Sequence, residues 1–206
     1  MYRDFAKRIF DMILAYIGIL IFSPVFLLLM IFIFLEEGWP IFFFKDCIGL
    51  EGKEFRQIKF RSMIKEAEKI TGPVWAKKND SRVTVIGRFL RKTALDELPQ
   101  LINILKGEMS FVGPRPQRKV LVERYLRDIP NYHLRFKVKP GLTGPAQVFL
   151  AYDASVEKKI KFDLWYVEKY NLLWDIELLA RSFVITLTAA WGKFEGEMDN
   201  ALMAGS

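Results

Sequence analysis

Residues 12–35 read MILAYIGILIFSPVFLLLMIFIFL, twenty-four residues without a charge between Asp11 and Glu36. As one helix this stretch reaches roughly 36 Å, enough for a hydrocarbon core of about 30 Å. A cleaved signal peptide fits it poorly, because such an apolar region ordinarily ends after about 7–15 residues at a small-residue cleavage site. Ser23-Pro24 sits in the middle, where proline removes a backbone donor and crowds the preceding turn. A serine hydroxyl can satisfy a carbonyl freed there, so a bend is tolerable in lipid. Arg3, Lys7 and Arg8 precede the stretch and a basic body follows it, which argues that both ends stay cytoplasmic. The residues alone leave two arrangements open: a proline-kinked transmembrane helix, and a helix-break-helix hairpin that re-enters one leaflet.

The rest of the chain must then serve a membrane protein. Its 206 residues allow one domain, and 51% hydrophobic residues beside 27% charged ones suit neither a disordered chain nor a polytopic carrier. A net charge of +7 suits an anionic membrane surface or a phosphorylated substrate. With one cysteine, Cys47, and one histidine, His133, an internal disulfide is excluded and a Cys/His zinc site implausible. Any metal would be a hard ion on carboxylate and phosphate oxygens, which points to magnesium.

Beyond the apolar stretch, residues 41–63 read as extended structure with a turn at Gly49–Gly52, and Lys59 and Arg61 share one face. Residues 64–80 read as a helix followed by a loop. Ile86, Phe89 and Leu90 mark an amphipathic turn with Arg88, Arg91 and Lys92 on its polar side. Leu98, Leu101, Ile102 and Leu105 form another helical stripe, ended by Gly107. Residues 117–128 and 156–170 are charged amphipathic helices. Leu172–Trp191 is apolar but carries Asp175, Glu177 and Arg181, as a core helix or one lying at an interface does.

Asp96-Glu97 precedes Leu98-Pro99. Because Pro99 cannot lie deep in a helix, one is expected to start between 96 and 98, with both carboxylates at its N-terminus. Capping explains such a pair; so does a nucleophile or metal ligand beside a phosphate-attracting helix end. In Gly113-Pro114-Arg115-Pro116 the flanking prolines restrict Arg115 to extended geometry, pre-setting a guanidinium for a diphosphate or simply stiffening a turn. Three basic groups bracket the acidic pair: Lys59 and Arg61; Arg82, Arg88 and Arg91; Arg135, Lys137 and Lys139. Lys139–Gly144 is turn-rich. The aromatic residues at 42–44 and 132–136 read as core or interfacial anchors. No GxxxxGK[ST] loop, strand–GxGxxG–helix fingerprint or Asp-x-Asp pair occurs.

Several ordered blocks resemble the bacterial sugar transferase family, the monotopic phosphoglycosyl transferases, over about residues 5–190. They are Lys7–Asp11, Ser23-Pro24, Lys59–Met63, Asp80–Arg82, Gly87–Thr93, Leu95–Leu101, Gly107–Pro116 and Lys139–Gly144. The resemblance implies an α+β, mainly helical fold with a re-entrant membrane hairpin over residues 1–36, broken at Ser23-Pro24. A compact catalytic body with a short β-hairpin and interfacial amphipathic helices would fill 37–206, at the cytoplasmic face of the bacterial inner membrane. It further implies transfer of sugar-1-phosphate from a UDP-sugar to undecaprenyl phosphate, with release of UMP, as a first membrane step of glycan assembly. Asp96 would be the nucleophile, forming a covalent aspartyl phosphosugar, and Glu97 its support, with magnesium held by both. Lys59, Arg61, Arg88, Arg91, Arg115, Pro114, Pro116 and Thr143 would meet phosphate and uridine. Membrane lipids are the expected partners, nucleic acid is not, and a homodimer is left open.

Two segments depart from the family pattern. Phe44-Lys45-Asp46-Cys47-Ile48-Gly49 stands where Phe-x-Gln-x-Arg-x-Gly is usual, and Phe149-Leu150-Ala151 replaces an Asn-Gly-Arg-like run, although Tyr152, Asp153 and Ser155 match the family's next positions. The two lost arginines bear on donor choice, on a membrane contact or on activity itself. A weakened, membrane-tethered scaffold or regulator is therefore the alternative to an active transferase, against which the complete Asp96/Arg115 cluster speaks.

Overall fold

The computed structural model describes residues 2–67, 80–151, 153–188, 194 and 196–197. Most of the helix-and-loop expectation for 64–80, together with Tyr152 and the end of the 172–191 stretch, lies outside the described residues.

A single helix, α1 (Tyr2–Glu37), contains the whole apolar stretch with Pro24 inside it. The two helices expected around Ser23-Pro24 are thus one helical element. Proline at 24 takes away the amide that would bond to the Leu20 carbonyl. The Ser23 hydroxyl donates to that carbonyl at 2.8 Å, so the lost bond is replaced and the helix continues.

Along α1 the buried positions Asp11, Ala15, Leu29 and Ile33 recur at helical spacing, while Ile13, Tyr16, Leu20, Leu27, Leu28 and Leu35 are exposed. The buried face is fastened at both ends. Near the N-terminus, Lys7 reaches Asp175 at 2.5 Å, and the Asp11 carboxylate accepts from the Ser110 hydroxyl and the Phe111 amide. Arg8 donates to the Ile104 and Leu105 carbonyls at 2.5 and 2.7 Å. Lys7 and Arg8, expected as flanking charge, therefore bind the body of the molecule. At the other end Leu29 and Ile33 pack with Ile41, Phe60 and Leu90.

After α1 come β1 (Phe42–Ile48) and β2 (Glu54–Phe60), an antiparallel hairpin, then α2 (Val85–Thr93), α3 (Gln100–Lys106), β3 (Ser110–Val112), β4 (Gln117–Arg118) and α4 (Lys119–Asp128). β5 (Gly141–Thr143), α5 (Pro145–Phe149), α6 (Val156–Lys169) and α7 (Leu172–Thr188) complete the order. β4 joins the free edge of β1, giving the order β2-β1-β4, while β3 and β5 form a separate parallel pair. The Asn103 side chain of α3 accepts from the Ile58 amide and donates to the Arg56 carbonyl, tying α3 to the open edge of β2.

Two of the expected amphipathic helices show their logic directly. Thr84 caps α2 by accepting from the Gly87 amide at 2.9 Å, and the Glu36 carboxylate at the end of α1 accepts from the Val85 and Ile86 amides. In α7, Asp175, Leu178 and Ile185 are buried, whereas Leu173, Ile176, Phe183 and Leu187 are exposed. This leaves an outward apolar stripe on a helix that packs against α1.

The seating of α2 depends on Gly87, where a Cβ would stand 2.0 Å from the Ser62 carbonyl oxygen. Gly87→Ala is expected to destabilise the fold by about 1–3 kcal/mol through overpacking against backbone that cannot yield. Equilibrium denaturation checks this; an unchanged midpoint would show that α2 is free to shift.

Candidate active site

Asp96 and Glu97 lie in a 3-10 turn (Leu95–Glu97), and regular helix begins only at Gln100. This corrects the expected start between 96 and 98. Pro99 stands at the position before the helix, and neither carboxylate makes a capping hydrogen bond. They turn instead toward the sheet and the proline-flanked loop. Glu97 Oε1 accepts from Lys59 Nζ at 2.5 Å and from Arg115 Nη2 at 2.7 Å. Burial alone would raise the Glu97 pKa, but Arg115 and Lys59 outweigh it and hold this carboxyl far below the usual carboxylate range.

Asp96 is the contrasting member. It is buried, with 9% of its surface exposed, and among the described residues its oxygens accept no hydrogen bond. Its nearest cation is Lys59, 3.9 Å away. Burial raises its pKa above the ordinary aspartate value, opposed by Lys59 and reinforced by the Glu97 charge, with Arg91 and Arg115 further lowering influences. Two adjacent carboxylates are thereby separated in role: one bound through its Oε1 to two cations, the other open and less hydrogen-bonded.

The other expected residues divide. Arg91 donates to the Ser62 hydroxyl at 2.8 Å and belongs to the field on Asp96. Arg88 is exposed, 3.3 Å from the Val83 carbonyl. Arg61 does not share the contacts of Lys59: it lies one residue beyond β2, and its Nη2 donates to the Gly38 carbonyl at 2.8 Å. Its Nε and Nη1 are buried with no hydrogen-bond partner among the described residues. Arg82 forks onto Asp80 at 2.9 and 2.6 Å, and Lys139 stands beside Arg8 and Asp11, so both serve the framework.

The Gly113–Pro116 loop is held by close backbone contacts. Gly113 N donates to the Thr143 carbonyl and Gly141 N to the Pro114 carbonyl. A Cβ at Gly113 would meet the Lys139 carbonyl oxygen at 2.3 Å, and one at Gly141 would meet Gly113 N at 2.1 Å. Pro114, Pro116 and Thr143 are buried and shape this support, while Arg115 itself is partly exposed. From below, buried Arg135 donates to the Arg115 carbonyl at 2.8 Å, to the Tyr132 hydroxyl at 3.0 Å and to Asp163 at 2.8 Å. Arg135, grouped by sequence with phosphate candidates, is thus a strut beneath Arg115. Asp163, its partner, sits in a charged helix and carries no local signal of that role.

Among the described residues no cluster of three or more Asp, Glu, His or Cys side chains could enclose a metal. The donor set is the open Asp96 carboxylate beside the cation-bound Glu97. That suits magnesium, which commonly takes one or two carboxylates and completes its shell with water and substrate phosphate.

The family model described as bacterial sugar transferase matches residues 2–189. The chain is 38% identical to the UDP-N-acetylgalactosamine-undecaprenyl-phosphate N-acetylgalactosaminephosphotransferase of Aeromonas hydrophila, over 89% of this chain and 44% of that protein. It is 41% identical to the UDP-glucose:undecaprenyl-phosphate glucose-1-phosphate transferase of Escherichia coli K12, over 84% of this chain and 38% of that one. A putative undecaprenyl-phosphate N-acetylgalactosaminyl 1-phosphate transferase of Bacillus subtilis is 44% identical, over 72% of this chain and 78% of its own length. The chain therefore spans about two fifths of the longer relatives and most of the shorter one.

Proposed function

This chain belongs to the bacterial sugar transferase family, and from that premise we propose that it transfers sugar-1-phosphate from a UDP-sugar to undecaprenyl phosphate. The observation that carries this reading is the open, buried Asp96 carboxylate facing Lys59, Arg91 and Arg115. An anionic nucleophile approaches an anionic diphosphate only where fixed cations offset their repulsion.

An Asp96 oxygen attacks the β-phosphorus of the donor. The bond from that phosphorus to the bridging oxygen breaks, its electron pair leaving with UMP, and the sugar phosphate remains on Asp96. A phosphate oxygen of the polyprenyl acceptor then attacks the same phosphorus, releasing the Asp96 carboxylate and forming the lipid diphosphosugar. Glu97 keeps Lys59 and Arg115 in place; Arg115 and Arg91 meet the phosphates. Asp96, with Glu97, would hold magnesium, which supplies charge neutralisation on the donor diphosphate. The sugars in the relatives' names differ, N-acetylgalactosamine in one and glucose in another, so the donor has to be found by assay. UMP release from a panel of UDP-sugars, with polyprenyl phosphate and magnesium, tests the reading; no release by folded protein with any donor would sink it.

The chain is read as monotopic. Both ends of α1 are fastened to one charged body, at Arg8/Asp11 and at Leu29/Ile33/Glu36. A helix so held would have to draw that body into lipid in order to cross. The outward stripes of α1 and α7 instead suit insertion into one leaflet, at the cytoplasmic face where the acceptor phosphate resides. Single cysteines placed at exposed Phe5 or Trp39 are expected to label from the same, cytoplasmic side, with buried Cys47 silent. Labelling of the two from opposite sides would establish a crossing helix instead.

A further inference from the structure

Lys45 projects from the face of β1 that also carries Phe43 and Cys47; Phe44 and Asp46 take the other face, where both meet Arg56. In the hairpin register Lys45 stands opposite Gln57, and Lys59 is diagonal to it, opposite Phe43. Arg118 pairs with Cys47 from β4, yet its guanidinium lies 6.0 Å from the Phe43 ring, so its side chain runs along the strand past Lys45. Arg115 approaches from the proline-flanked loop and completes a group of four cations.

The carboxylate that serves this group, Glu97, is taken by Lys59 and Arg115. Lys45 makes no hydrogen bond or ion pair among the described residues. Its acidic neighbour on the same face is Cys47, and burial raises that thiol's pKa, which keeps it neutral. Burial, together with Lys59, Arg115 and Arg118, draws the Lys45 ammonium down to about 8. Crowded like charges of this kind are relieved when an anion enters. Beyond Arg115, in the direction β1 runs, a shallow cleft is lined by Ile48, Gly49, Pro116 and Phe136. Lys45 stands between the Asp96/Lys59 end and this cleft, where the nucleotide side of a donor attacked at Asp96 would extend.

We infer that Lys45 is a substrate-binding residue of the transferase, contacting the nucleotide-side phosphate of the donor and the same phosphate in departing UMP. The inference rests on the transferase reading. When the phosphoanhydride breaks, the bridging oxygen stays with this phosphate and its negative charge grows. A nearby ammonium therefore binds the leaving group more strongly than the intact donor.

The test uses the full chain in lipid, with wild type, Lys45→Gln and Lys45→Arg compared at matched melting temperatures. Calorimetry with UMP alone is run beside kinetics with a donor that the wild type accepts. Lys45→Gln is expected to weaken UMP about tenfold or more, the loss of one charge-assisted contact, and to leave the KM for polyprenyl phosphate unchanged. Wild-type UMP affinity should fall as pH rises through about 8 and Lys45 loses its proton, whereas Lys45→Arg should bind UMP with little change up to pH 9. The other groups facing Lys45 are Lys59, Arg115, Arg118 and Cys47, whose thiol is pushed up by burial. Unchanged UMP affinity in Lys45→Gln, or a defect confined to the lipid acceptor, overturns the inference while leaving the transferase standing. A wild-type chain that neither binds UMP nor turns over any donor overturns both.

Discussion

Asp96→Asn is expected to lower polyprenyl-phosphate-dependent UMP release by about four orders of magnitude or more, the scale seen when a covalent nucleophile is removed. The amide keeps the size of the side chain but cannot form the acyl phosphate. Stability should not fall with it. Burial raises the pKa of Asp96 above its unfolded value, so the ionised form opposes folding, and that cost grows as pH rises from the unfolded pKa to the folded one. A neutral asparagine removes the cost, and the melting temperature at neutral pH is expected to hold or rise. The acid limb of the wild-type rate should accordingly lie above the ordinary aspartate value, because the reactive form is the carboxylate. Residual turnover within tenfold of wild type would remove Asp96 from the role of nucleophile.

Arg135→Met should be the most damaging change away from Asp96 and Glu97. It strands Asp163, which is buried and whose nearest cation is Arg135 at 2.8 Å, and it frees the Arg115 carbonyl. Breaking a buried pair from one side costs about 3–5 kcal/mol, since the remaining charge has no compensation. Burial already raises the Asp163 pKa while Arg135 lowers it. Without the arginine that pKa rises further, so the defect should ease as pH falls and the carboxyl protonates. Denaturant melts at two pH values measure both effects. Replacing Asp163 with leucine in the same chain should recover much of the stability, and kcat/KM for the donor should still fall about tenfold to a hundredfold because Arg115 is no longer seated. A single variant within about 1 kcal/mol of wild type would show that the strut is dispensable.

These two residues illustrate how unevenly the site could be read from sequence. Asp96 stood out as a candidate because Pro99 restricts where a helix can begin and so singles out the carboxylates before it. Yet the helix starts later, at Gln100, and capping, one of the two roles that local rules allowed, is not the one these side chains take. Arg115 stood out from its flanking prolines, and the structure sets it against Glu97. Arg135 was grouped with it as a phosphate candidate, although it is a buried support, and nothing near Asp163 in sequence announces their pairing across 28 positions. The same holds for Lys7, Arg8 and Arg82, which looked like solvent- or phosphate-facing charge and proved to bind Asp175, the α3 carbonyls and Asp80.

By itself the sequence determined what depends on neighbours along the chain. These are the helical, apolar character of residues 12–35 though not its continuity through Pro24, the β1–β2 hairpin, a serine hydroxyl able to satisfy a carbonyl that Pro24 frees, and the ordered blocks that place the chain in its family. Tertiary structure alone decided which cations meet the acidic pair, which of two adjacent carboxylates stays open, and that one face of α1 is fastened along the body. The physical reason is that backbone preference is local, whereas the state of a charge depends on the water it has lost and the opposite charge within a few ångströms of it. Both are set by segments that only the packed chain brings together.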